Sequence, residues 1–260
     1  MSPDQSQTAY ATSAADLALR VLDALRGIEG TAMVAQHVER ADDPKAALAG
    51  LRVLGADLFA PYVLGNAVFH PQDAAAVTQS FAVFPAAVTP PPAPPQGAPE
   101  PWLVAWRDWA TATLLTRFTD PPGAPEPVGA GTGPGAGPLA PRPSGAPELD
   151  RTGSATGWQH WSVRMGQLSP LALPGLGGPV HDAARAAPLA LARGATRSVL
   201  RRDFPTAARI ARWLALLGAE GVPLPLDPAP LVAHLRLLGG GPRLALDVAI
   251  SGRLLALEDP

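Results

Sequence analysis

Arginine and tryptophan are the residue types whose spacing in this chain could do chemistry. Arg193, Arg197 and Arg201 fall at i, i+4 and i+8, on one face of a helix, and Arg209 and Arg212 follow on the next segment. A ridge of planar, permanently charged guanidinium groups suits phosphates or a carboxylate-rich partner. The helix–break–helix pattern around Phe204 also permits a helix-turn-helix, and with it nucleic acid. The same ridge reads equally as a solvated face, or as a surface complementary to the acidic N-terminal half.

The second pattern is Trp102, Trp106 and Trp109, at i, i+4 and i+7, which sets three indoles along one helical stripe. Leu103, Leu114 and Phe118 widen the stripe, and Trp158 with Trp161 makes a second pair further along. Aromatic residues are only 5% of the chain, so these rings are expected as the bulk that fills a core. As partner or pocket residues they would form an apolar binding surface, because tryptophan is enriched at binding hot spots. A cavity lined by Trp106, Trp109 and Trp158 would then take its base from His37 or His160.

Other chemistries are excluded by what their motifs require. Cysteine is absent, which removes disulfides, thiolate nucleophiles and Cys-ligated metals. Gly131-Thr-Gly-Pro-Gly-Ala resembles a dinucleotide loop only in its letters, since the strand and helix that would aim its amides are missing. Neither a P-loop lysine nor a Gly-x-Ser-x-Gly elbow occurs. The histidines His37, His70, His160, His181 and His234 show no metal-binding helical spacing, and His70 and His181 stand at helix starts as capping or surface residues. The acids Asp16, Asp23, Glu29, Glu39, Asp42 and Asp43 sit on polar helix faces or near N-termini, where solvation and the helix dipole account for them. No catalytic residue, cofactor or metal is therefore expected.

Composition sets the elements that must position these groups. The chain has 260 residues, a formal net charge of −2, 32 prolines and 26 glycines. Near-neutral charge gives no global attraction to nucleic acid or anionic membrane. Lys45 is the only lysine, a skew that, with abundant Ala, Pro and Gly, fits a GC-rich bacterial coding sequence. The polar start lacks the pattern of a secretory signal, and no apolar run approaches the roughly 18 residues of a membrane span. A soluble cytoplasmic protein is expected.

Helical periodicity predicts a mainly α fold. Residues 1–11 read as a disordered tail and 12–118 as an N-terminal helical region with a proline-rich linker over 88–100. Residues 119–151 read as a disordered Pro/Gly linker, being too poor in side chain to offset the entropy of ordering. Residues 152–260 form a C-terminal helical region. Within it, 242–258 alternates like a strand through Leu244, Leu246, Val248 and Ile250; its Leu and Ala content favours a helix, with a short β-hairpin as the alternative. The Trp-bearing helices flank the linker, which predicts antiparallel neighbours sharing one composite core. With no catalytic constellation, the expected function is a non-catalytic adaptor or accessory subunit that binds a protein partner through an apolar helical face. The alternatives are anion or nucleic-acid binding through the arginine ridge, and an enzyme or small-molecule binder with a Trp-lined pocket.

Overall fold

The computed structural model describes residues 3–28, 31–94, 96–119, 139–149 and 157–257, and among them it is helical with no strand. The N-terminal part comprises α1 (Pro3–Leu25), α2 (Met33–Glu39), α3 (Pro44–Leu54), a 3-10 segment Gly55–Phe59, α4 (Ala60–Leu64), α5 (Pro71–Val83) and α6 (Pro99–Thr119). The C-terminal part comprises α7 (Gly157–Gln167), a 3-10 turn Ser169–Leu171, α8 (Pro179–Ala186), α9 (Pro188–Leu200), α10 (Phe204–Ala219), α11 (Pro228–Leu237) and α12 (Pro242–Leu254). Much of the proline starts helices. Proline occupies the first turn of α3, α5, α8, α9, α10, α11 and α12, where its missing N–H costs no hydrogen bond and its fixed φ is already helical. Asp43, His70, Asp203 and Asp227 accept backbone N–H groups as caps just before four of those helices.

One core spans both halves. Leu17, Val21, Leu51 and Phe59 share it with Trp106, Leu114, Trp161, Met165, Leu214 and Ile250. α1 packs on α3 and on α12, α10 packs on α7, α9 and α12, and α6 lies against both 3-10 segments. Two helix crossings are close because they lack a side chain. A Cβ on Gly50 of α3 would stand 2.6 Å from Ser13 Oγ of α1, and one on Gly194 of α9 would stand 2.4 Å from Ser162 Cβ of α7.

Three expectations change and one holds. Residues 3–11, expected as a disordered tail, belong to α1. Pro242–Leu254 is one helix, as its Leu and Ala content favoured, and not the alternative hairpin. Its strand-like alternation arises because it is enclosed by α1, α4, α10 and α11, which buries Leu244, Leu246, Val248 and Ile250 together. Within the expected disordered linker, 139–149 is instead a non-helical strap packed on the core, while 120–138 and 150–156 lie outside the described residues. The strap holds because indoles need acceptors and proline-rich backbone offers free carbonyls. Trp102 Nε1 donates to Ser144 O at 3.0 Å, Trp161 Nε1 donates to Pro147 O at 2.8 Å, and Arg142 stacks 5.2 Å above the Trp109 ring. Finally, Pro44–Leu64 is long and apolar enough to cross a membrane by length and composition, with mean hydropathy 1.4, although 72% of that window is buried in the fold.

Candidate anion-binding cleft

Where the two halves meet, Arg212, Asp57 and Asp247 have left solvent together, with Arg243 partly exposed beside them. Arg212 of α10 is fully buried, and it donates through Nη1 to Asp247 Oδ1 at 2.8 Å and through Nη2 to Asp57 Oδ1 at 2.6 Å. Arg243 of α12 completes the quartet, donating through Nε to Asp247 Oδ2 at 3.2 Å and through Nη2 to Asp57 Oδ2. The local sequence sets this up simply. Arg243 and Asp247 share one face of α12 at i, i+4, and Asp57 is held in the 3-10 segment directly after α3. Burial pushes the Asp57 carboxyl up, but the Arg212 and Arg243 guanidiniums pull it further down, so it stays ionised below its ordinary value. Burial likewise opposes the charge on Arg212, and Asp57 and Asp247 override it.

Two arginines beside the quartet have no such match. Arg209 reaches Asp247 Oδ2 only through Nε at 3.9 Å. Arg107 of α6 forms no ion pair among the described residues, and burial lowers its pKa first. The positive charges of Arg243 and Arg209 lower it further, against a partial offset from Asp108 and Asp57. Arg107, Arg209 and Arg243 line one cleft of about 440 Å³, with Leu103 and Val104 on one side and Ser169 and Gln167 on another. Ser169 has no exposure, and its Oγ finds no hydrogen-bond partner among the described residues. Glu100 is the only acid along this lining. The result is a recess with surplus guanidinium charge and an unmet hydroxyl, which suits a carboxylate or phosphate.

A larger open hollow of about 840 Å³ holds His37, Ser13, Asp16, Arg20 and Arg40. Ser13 Oγ and His37 Nε2 are 2.9 Å apart. Burial and then Arg20 depress the imidazole pKa, with Asp16 opposing, which favours the neutral ring. The hydroxyl is nonetheless closed in against Gly50, and no carboxylate hydrogen-bonds His37 among the described residues. The pair ties α1 to α2. No group of three metal-ligating side chains occurs among the described residues.

The residues singled out by sequence are divided by the fold. Trp102, Trp106 and Trp161 are buried, while Trp109 and Trp158 are half-buried against the same core. Trp161 borders a hollow of about 300 Å³ with Pro147 and Leu149. Of the arginine ridge, Arg193 and Arg201 are exposed and Arg197 is half-buried, Arg209 turns into the cleft, and Arg212 is interior. The five therefore share no surface. His160 is exposed. His181, expected as a capping or surface residue, is buried, with Nε2 2.9 Å from Leu171 O and its ring edge-on to Trp213.

Sequence reasoning passed over Asp57, Asp247, Arg243, Arg107 and Ser169. Asp57 in Gly-Ala-Asp-Leu-Phe and Asp247 in Leu-Ala-Leu-Asp-Val-Ala-Ile carried a signal, since each is a lone carboxylate inside an apolar run. Such a charge must find an opposite one. No protein-family model, curated protein or solved structure matches this chain, so its function is read from the geometry of this cleft.

Proposed function

We propose that this chain is a non-catalytic binding protein that takes a small anionic group, carboxylate or phosphate, in the cleft of Arg107, Arg209 and Arg243. The observation that carries this is charge: Arg212 and Arg243 are balanced by Asp57 and Asp247, while on the cleft wall Arg107 has no ion pair among the described residues and Arg209 only a long one to Asp247. Bringing an anion there relieves like-charge crowding and satisfies donors already held in place, so little ordering entropy opposes binding. Nothing beside the arginines supplies a nucleophile with a base, which supports an accessory rather than catalytic role. A soluble, cytoplasmic setting belongs to the same proposal.

Calorimetric titration with inorganic phosphate tests it. Wild-type protein is expected to bind with an affinity that falls as salt is raised. Arg107→Gln and Arg209→Gln each remove a charge-assisted hydrogen bond worth about 1.5–3 kcal/mol, which is roughly a tenfold or greater loss of affinity. Equal heats from wild type and both variants would contradict the proposal.

A second reading has its own observation. Val53 and Val104, 47% and 43% exposed, stand beside the cleft on α3 and α6 and offer an apolar helical face to a partner protein. In that case the anion is a partner's carboxylate side chain, and the chain is an adaptor.

A further inference from the structure

Beyond the cleft lies a second hollow of about 430 Å³, between α1, α3, α6 and the segment after α5. The two hollows adjoin, sharing Val53, Val104 and Arg107 in their walls. From the arginines outward the lining changes character. Ala11, Ala14, Ala15, Leu54 and Leu103 flank the cleft, and Tyr10, Phe84, Pro85, Pro91 and Pro101 flank the second hollow. The charges at the far side are Arg52 and Asp108, which neutralise each other across 2.8 Å, with the Arg52 guanidinium also 3.8 Å from the Phe81 ring centre. Arg209 and Arg243 therefore stand in the cleft, Arg107 stands where the hollows join, and the second hollow carries only the mutually paired charges besides it.

We infer that the occupant is a single-chain alkyl amphiphile. Its anionic head, carboxylate or phosphate monoester, sits at Arg107, Arg209 and Arg243, and its chain lies over Val53 and Val104 into the second hollow. This inference rests on the anion-binding reading of the cleft and adds the chemical class of the ligand. Two features favour a slender molecule over a partner's helix or a bilayer. Each hollow falls within the range that encloses small ligands. The two valines lie half open where a chain would cover them, and covering apolar surface is favourable in proportion to area. Glu100 at the cleft wall opposes a second negative charge, which favours the monoanion.

The test is calorimetric titration of the full chain with inorganic phosphate, butyl phosphate, hexyl phosphate, octyl phosphate and octanoate, each below its micellar concentration. Affinity is expected to rise by about fourfold per added methylene until the second hollow is full. Val53→Asn and Val104→Asn, at half-exposed positions that do not hold the fold together, are expected to flatten the series, so that octyl phosphate loses more affinity than inorganic phosphate does. Arg107→Gln is expected to weaken every member about equally. If phosphate binds and chain length has no effect, the amphiphile is overturned while the anion cleft stands. If phosphate and octyl phosphate both fail to bind, both readings fall. Octyl phosphate binding Arg107→Gln and Arg209→Gln as it binds wild type would also overturn the inference. So would binding confined to phosphatidylglycerol vesicles or to an acidic amphipathic peptide.

Discussion

Arg212 and its two aspartates are where single residues matter most to this molecule. A buried ion pair adds little net stability over a well-packed apolar replacement, but removing one partner strands the others in a medium that cannot solvate them. Arg212→Met leaves Asp57 and Asp247 facing only Arg243 and Arg209, and the expected loss is about 3–5 kcal/mol in denaturant unfolding. Acid acts on the same group. The Asp57 pKa is lower folded than unfolded, so its stabilisation is complete above the ordinary carboxylate range and is lost as pH falls through the lower folded value. Wild-type protein should therefore lose stability on acidification below that range. Asp57→Asn, less stable at neutral pH, should show a shallower acid slope in the same titration. An unchanged slope would mean that other carboxylates govern acid unfolding. The residue types needed for this centre were visible in the sequence, but the pairing was not. Asp57 lies far from Arg212 along the chain, and only the fold brings them together.

At the scale of elements, the helices were legible because their punctuation is local. Proline in the first turn, an aspartate cap before it and apolar residues at helical spacing mark α3, α10 and α11 directly. The strap at 139–149 was not legible. Its Pro/Gly composition offers almost nothing to bury, and it is ordered by donors elsewhere, the indoles of Trp102 and Trp161. Trp102→Phe keeps most of the apolar volume and removes one donor, so a cost of about 0.5–1.5 kcal/mol is expected. It should also produce faster amide hydrogen exchange confined to the strap; exchange spread evenly over the protein would contradict this account. The α12 alternation left a hairpin open beside the favoured helix for a related reason, because a helix covered on several sides has no polar face to reveal its period. Close crossings carry their own test. Gly194→Ala raises helix propensity by about 1 kcal/mol, yet its Cβ would collide with Ser162 of α7. Overpacking of about 1–3 kcal/mol should win and lower the melting temperature. A rise would show that α7 and α9 can part without cost.

For the whole molecule, the notable point is that the cleft belongs to neither half. Arg107 comes from α6, Arg209 from α10, Arg243 from α12 and Ser169 from the turn after α7, while Asp57 behind them comes from the N-terminal part. The Trp-bearing helices flanking the linker predicted one composite core, and the shared interior bears this out, although α6 packs mainly on the 3-10 segments rather than on α7. The cleft followed from no stripe or motif, since helical spacing reports neighbours within one element and these residues sit on four. The arginine ridge read from spacing failed as a unit for the same reason: i, i+4 positions say nothing about which face another helix will cover. The most direct test is NMR of the arginine side-chain Nε–Hε groups in the folded full chain during titration with inorganic phosphate. The account predicts that the Arg107, Arg209 and Arg243 resonances move together and saturate, while exposed Arg193 and Arg201 stay in place. Movement of Arg193 and Arg201 alone, or uniform small drift of every arginine without saturation, would contradict it.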